Sequence, residues 1–248
     1  MISTTDSGRL DGGHRGAELV SALARVRRRV VDAALAVGRV PTDVALIAVT
    51  KGFPASDLRT LLDLGVLDVG ESRDQEVRAK LAELGETGLG SARLHFVGQL
   101  QTNKARSVAR YAWAVHSVDR VELARALSSG AQRAERDLAV FLQVNLDEAP
   151  EPGRGGVAPA QLPGLAAAVS ELPALTLRGL MAVAPNGGDA DAAFARLREL
   201  SDELRADFPL ATAISAGMSE DLEVAVRHGA THVRVGSALL GHRRPPIG

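Results

Sequence analysis

Apolar positions come in short blocks set between longer amphipathic stretches. Runs rich in Val, Ile, Leu and Ala occur at Val44–Thr50, Leu67–Gly70, Leu94–Val97, Ala112–Val118, Ala139–Asn145, Leu177–Ala182, Ala213–Ser215 and His232–Val235. Continuous apolar runs of this length predict strands buried on both faces, as in parallel sheets. Between them, Ala55–Leu64, Arg73–Leu84, Arg120–Arg136, Leu162–Leu172, Asp189–Phe208 and Ser219–Arg227 carry helical patterns. An earlier helix is predicted from Glu18 to Val37, where Leu19, Leu23, Val26, Val30, Ala33 and Val37 recur three and four apart. Its run Arg25, Arg27, Arg28, Arg29 reads as a solvated face.

Eight strand–helix units in about 200 residues predict a single (β/α)8 TIM barrel with an extra N-terminal helix. A doubly wound sheet shows the same alternation, so the strand count decides between the two. Residues 1–16 are polar and glycine-rich and are expected to form a disordered tail. Residues 17–248 are then one α/β domain, and no C-terminal β-domain is expected. The longest break, Asp147–Pro159, follows the fifth strand and is rich in Pro and Gly.

Composition narrows the function classes. The net charge of −1 argues against general nucleic-acid binding, which needs a basic surface. The absence of cysteine excludes disulfides, thiolate metal sites and a cysteine nucleophile. No apolar run approaches the ~20 residues of a membrane helix, and the N-terminus lacks the apolar core of a secretory signal. A cytoplasmic protein with no membrane contact is expected. His95 and His116 lie in strands without a carboxylate or thiolate cluster at ligand spacing, so a structural role is expected for both rather than a metal site.

In α/β barrels the functional side chains sit at the C-terminal ends of the strands. The first strand ends in Thr50-Lys51. A lysine there can act as a base, contact a phosphate or form a Schiff base. The seventh strand runs into Ser215-Ala216-Gly217-Met218-Ser219, with Ser219 a good N-cap, and the eighth into Gly236-Ser237. Barrels commonly bind phosphate between these two loops. Glu220 and Asp221 would repel a phosphate and are expected to point away. Lysine and phosphate site across one barrel mouth fit pyridoxal 5′-phosphate (PLP). Arg234 could face the pyridine nitrogen. A guanidinium only donates hydrogen bonds, so the nitrogen would stay unprotonated and the ring a poor electron sink.

Seven motifs in order, AVTKGFP (48–54), VGESRDQE (69–76), LHFVGQLQTNK (94–104), VHSVDR (115–120), LQVNLD (142–147), RGLMAVAP (178–185) and the segment 215–241, resemble those of the pyridoxal phosphate homeostasis proteins, the YggS/PROSC type. The resemblance implies the fold-type III barrel of alanine racemase without its second domain. It implies Lys51 as the residue that forms the internal aldimine with PLP and Arg234 as the partner of the ring nitrogen. It implies Ser215, Gly217, Met218, Ser219, Gly236 and Ser237 as the phosphate cradle. The family commonly has Asn where this chain has Ser72, near the cofactor ring. A racemase needs a second acid–base group, in that fold a tyrosine from the second domain. The single tyrosine, Tyr111, precedes the fourth strand, at the wrong end. The expectation is therefore a monomeric PLP carrier that buffers the cofactor or passes it to apo PLP-dependent enzymes, with little or no catalysis. The alternatives are a fold-type III enzyme such as an amino-acid racemase, or a Schiff-base aldolase on a sugar phosphate.

Overall fold

A computed structural model describes residues 7–85, 88–147 and 154–241. Eight parallel strands close into a barrel in chain order: β1 (Ala45–Val49), β2 (Asp68–Glu71), β3 (Arg93–Phe96), β4 (Ala114–Val118), β5 (Leu138–Gln143), β6 (Leu175–Met181), β7 (Ala213–Ser215) and β8 (His232–Val235). β8 returns to pair with β1, Ile47 opposite Arg234. The helices are α1 (Ser7–Ala36), α2 (Ala55–Asp63), α3 (Asp74–Leu84), α4 (Ala105–Val108), α5 (Val121–Arg133), α6 (Leu162–Ser170), α7 (Ala190–Asp207), α8 (Leu222–Arg227) and α9 (Ser237–Leu240). Every expected strand is present. Part of the expected loop 147–159 lies outside the described residues; what is described of it is held by Val157, which bridges to Val144 beside β5.

Side chains alternate across each strand. One set, including Ala48, Val69, Leu94, Val115, Val140, Leu180, Ile214 and Val233, points outward and forms the main core beneath the helices. The other set points into the barrel. There Ala114, Phe141, Met181 and Ala213 make a small apolar cluster. They share the interior with buried polar groups: Asp68, His95, His116, Ser215 and Arg234. On β1 the inward face carries Ile47 and Val49, and two residues further the chain reaches Lys51. On β8 it carries His232 and Arg234, and then Gly236. The strand period thus places the lysine, the arginine and one glycine at the same barrel mouth.

Helix α1 lies across the seam between the chain's two ends. Leu19, Leu23, Val26 and Val30 are buried, against α8 and α9 among others. Arg25, Arg27 and Arg28 are exposed, as the arginine run predicts, whereas Arg29 forms a two-pronged pair with Glu223 at 2.6 and 2.8 Å. Arg15 clasps Asp57 on α2 at 2.7 Å and the Leu240 carbonyl at 3.0 Å. The helix runs from Ser7, earlier than the Glu18 start that the apolar periodicity predicts. Residues 1–6 lie outside the described residues. Among the described residues no helix is long and apolar enough to cross a membrane.

Candidate functional site

Lys51 sits on a turn just past β1. Phe53 N–H closes the turn onto the Thr50 carbonyl at 3.1 Å, and Gly52 N–H donates to Glu76 at 2.9 Å. The turn rests on a buried ion pair. Lys80 Nζ donates to Glu71 Oε1 at 2.5 Å and to the Thr50 carbonyl at 2.7 Å. The Thr50 hydroxyl donates to the same carboxylate oxygen at 2.6 Å. Glu71 falls within the motif at 69–76, whereas Lys80 lies outside every motif singled out from sequence. Together they fix the backbone atom that precedes Lys51, while Lys51 itself is exposed.

Arg234 approaches from the barrel interior. Its Nη1 donates to Ser215 Oγ at 2.7 Å and its Nη2 to the Ala182 carbonyl at 2.9 Å. Burial pulls its pKa down to about 10, with Asp221 opposing, so it remains a cation at neutral pH. Its backbone N–H donates to the Gly217 carbonyl at 2.9 Å and ties β8 to the loop after β7.

The two loops are linked to each other. Ser219 Oγ accepts the Ala238 N–H at 3.1 Å, so this hydroxyl caps α9 rather than its own helix. α8 begins at Leu222 with Asp221 before it, not at Ser219 as the pattern suggests. Asp221 Oδ1 instead accepts the Met218 N–H at 2.5 Å, which uses residues 218–221 as a turn. Gly217 has φ +89°, and a Cβ there would lie 2.6 Å from Ala225 Cβ, so glycine is required for α8 to pack. Gly236 is different. Its φ is −115°, and a Cβ would meet only Val49, at 3.4 and 3.6 Å. Nothing in the protein's own packing demands glycine there, yet Gly236 lines the cavity.

These parts enclose a cavity of about 560 Å³ lined by Lys51, Met218, Ser219, Arg234, Gly236 and Ser237, with Val49, Phe53, Val97 and Val183 as apolar wall. Ser72, Ser215 and Gly217 are not in that lining. Ser72 packs against Gly98, where a Cβ would come within 2.5 Å of it. Ser215 is fully buried beneath, under Arg234. Glu220 and Asp221 line the cavity rather than pointing away, because the late start of α8 leaves both in the loop. Among the described residues the lining holds no histidine or tyrosine. Tyr111 lies elsewhere, its hydroxyl on Asp74 at 3.2 Å.

Below the cavity a hydrogen-bonded file crosses the barrel. Ser215 Oγ meets His116 Nδ1 at 2.8 Å, His116 Nε2 meets His95 Nδ1 at 2.9 Å, and His95 Nε2 meets Asp68 at 2.8 Å. Arg93 grips the same Asp68 with two bonds of 2.7 Å. No group of three or more metal-ligating side chains is found among the described residues. Burial lowers the pKa of His95 despite Asp68, holds His116 well below 6.5, and takes His232 to about 4 with help from His95. Below 6.5 the unfolded chain binds more protons at these histidines than the folded one, so stability falls as pH drops from 6.5, for His232 down to about 4. Each histidine adds a slope of up to about 1.4 kcal/mol per pH unit. Urea midpoints at pH 7 and pH 5 check this; equal midpoints would contradict it.

A closed βα barrel with a lysine just past its first strand and an arginine on its last belongs to the class of fold-type III PLP-binding barrels. Residues 32–244 match the family model of the alanine racemase N-terminal domain. The "Pyridoxal phosphate homeostasis protein" of Mycobacterium tuberculosis is 46% identical over 247 residues, 93% of this chain and 95% of that protein. Its counterpart in Pseudomonas aeruginosa is 45% identical over 224 residues, 89% and 94% of the two chains. The solved structure of PipY from Synechococcus elongatus, without PLP, superposes with a TM-score of 0.79 at 36% identity and covers 90% of this chain and all, 100%, of its own. The form with PLP bound gives 0.76. The chain belongs to the pyridoxal phosphate homeostasis protein family.

Proposed function

We propose that this chain binds PLP in the cavity between Lys51 and Arg234, holds it covalently through Lys51, and releases it to apo-enzymes that need it, with little or no turnover. The cofactor supplies an aldehyde that bonds reversibly to a primary amine, together with a ring and a phosphate by which it is anchored. The observation that carries the reading is the convergence of Lys51, Arg234 and the two loops after β7 and β8 on one cavity. Lys51 provides the amine. Its exposure favours exchange with water and with incoming amines, which suits release. Arg234, donor-only and still charged, would hold the ring nitrogen as an unprotonated acceptor and so restrain carbanion chemistry. Gly236 leaves room at the loop backbone, and Ser219 and Ser237 offer polar groups beside it. Met218 N–H is occupied by Asp221, so a phosphate takes that donor only by displacing the carboxylate. Ser72 and Ser215 would act from behind the cavity wall, and Gly217 by seating α8.

Titrating purified protein with PLP tests the reading. Expected are a visible absorbance band and a borohydride-stable adduct on the Lys51 peptide. A colourless protein with no adduct would sink it, and amino-acid turnover at ordinary enzyme rates of ~1–10³ s⁻¹ would sink the carrier role. Gly236→Ala probes the cradle. Because the backbone angle and the 3.4 Å contact tolerate a methyl group, its melting temperature should stay within about 2 °C of wild type. PLP affinity should fall about tenfold, measured by the same titration. Unchanged affinity would place the anion elsewhere.

A further inference from the structure

The file Arg234–Ser215–His116–His95–Asp68 has chemically fixed ends. Arginine can only donate and an ionised aspartate can only accept. Arg234 Nη1 donates to Ser215 Oγ at 2.7 Å, and because the ionised Asp68 at the far end accepts from His95 Nε2, the Ser215 proton goes to His116 Nδ1 at 2.8 Å. His116 must then carry its proton on Nε2 and give it to His95 Nδ1 at 2.9 Å. His95 in turn carries its proton on Nε2, toward Asp68 at 2.8 Å. Every link holds one proton, both rings are neutral, and the direction runs from Arg234 to Asp68. No other neutral assignment satisfies both ends.

The surroundings enforce this state. The His116 ring stacks on Phe141 of β5 with centroids 4.1 Å apart. The other groups facing it are His95 from β3, Ser215 from β7, and His232 and Arg234 from β8. None of these is an anion, so a proton added to His116 would meet Arg234 and two histidines. A protonated ring would also donate from both nitrogens and compete with Arg234 for the Ser215 oxygen. Arg234's two side-chain acceptors, Ser215 Oγ and the Ala182 carbonyl, are neutral. Aligned donors polarise one another along such a chain, so the charge of Asp68 strengthens the Ser215 oxygen as an acceptor.

We propose that His95 and His116 are positioning residues for Arg234: each held neutral in one tautomer, they keep the Ser215 oxygen turned to the guanidinium and thereby aim Arg234 into the cavity. The inference rests on the PLP reading only for its effect on the ligand; the file itself is a property of the protein without cofactor.

The test has two arms. In wild-type protein without PLP, long-range ¹H–¹⁵N spectra at neutral pH should show both histidines neutral with the proton on Nε2. A proton on Nδ1 of either ring, or a cationic ring, overturns the proposal whatever the cofactor does. In the second arm, His116→Phe keeps a ring against Phe141 but removes both nitrogens, while His116→Asn restores an acceptor near the Nδ1 position. PLP affinity should fall about tenfold or more in His116→Phe and recover at least in part in His116→Asn. The bound cofactor's absorbance maximum should move in His116→Phe, a change that loosened packing alone would not bring back toward wild type in the asparagine variant. His116→Phe that binds PLP with wild-type affinity and spectrum overturns the proposal. Should the phenylalanine variant fail to fold, the spectra of the wild-type protein still decide it. Failure of the wild-type chain to take up PLP refutes the cofactor reading instead and leaves the tautomer result standing.

Discussion

Lys51→Ala should abolish the borohydride-fixed PLP adduct while leaving the fold intact. Only three lysines occur in the chain: Lys51, Lys80 and Lys104. Lys80 is buried and committed to Glu71 and the Thr50 carbonyl, so its amine cannot reach an aldehyde without breaking an ion pair. Lys104 is exposed after β3 and does not line the cavity. Removal of Lys51 therefore leaves no amine in the lining, and residual PLP should wash away on gel filtration. Lys51 is itself exposed on a turn, so stability should change by no more than about 1 kcal/mol, the scale of an exposed polar interaction. Peptide mapping after reduction is the decisive readout. An adduct of wild-type yield on Lys80 or Lys104 in the variant would mean that the cavity is not where the aldehyde is held.

The second large effect lies beneath the site. Glu71→Ala should destabilise the fold by about 3–5 kcal/mol, because it strands the Lys80 ammonium in the interior. The side chains of Glu71 and Lys80 are only 1% and 9% exposed, so water cannot easily replace the lost carboxylate. Glu71→Leu combined with Lys80→Met should recover much of that loss, since a buried pair exchanged for apolar groups is often neutral or better. Urea unfolding of the two variants and wild type measures both terms. A loss below about 1 kcal/mol for the single change would show that the pair is solvated. The double variant carries a second consequence: with no amine on the Thr50 carbonyl, the turn that presents Lys51 loses its support, and adduct yield should drop even where stability returns.

Much of this architecture is legible in the chain because its signals are local. The strands are continuous apolar runs, and the helices between them keep their periodicity, so eight units can be counted directly. Lys51, Gly236 and Ser237 stand at strand ends, where a positional rule finds them. The groups that escape are joined over distance. His95, His116 and Ser215 meet from three strands, whereas the chain alone gives the two histidines an unspecified structural role and Ser215 a place in the phosphate cradle. The signal was present in the alternation: His95, His116, His232 and Asp68 all fall on inward positions, which marks a polar barrel interior. Ser219 looks like the cap of its own helix, but its hydroxyl serves α9, which no local pattern reveals. The glycines before Ala17 resemble a tail, whereas Arg15 among them reaches Asp57 and Leu240.

That clasp also bears on how the molecule is made. Synthesis delivers α1 well before α8 and α9, against which it packs. Arg29 and Glu223 are separated by 194 residues, and Arg15 and the Leu240 carbonyl by 225. Closing so wide a loop draws on chain entropy that nearby contacts do not refund. Until β8 emerges to pair with β1, the apolar stripe of Leu19, Leu23, Val26 and Val30 lacks α8 and α9 to cover it. On the ribosome α1 thus waits for α8, 194 residues further along the chain at the Arg29–Glu223 pair, and until α8 emerges that apolar stripe is open to aggregation.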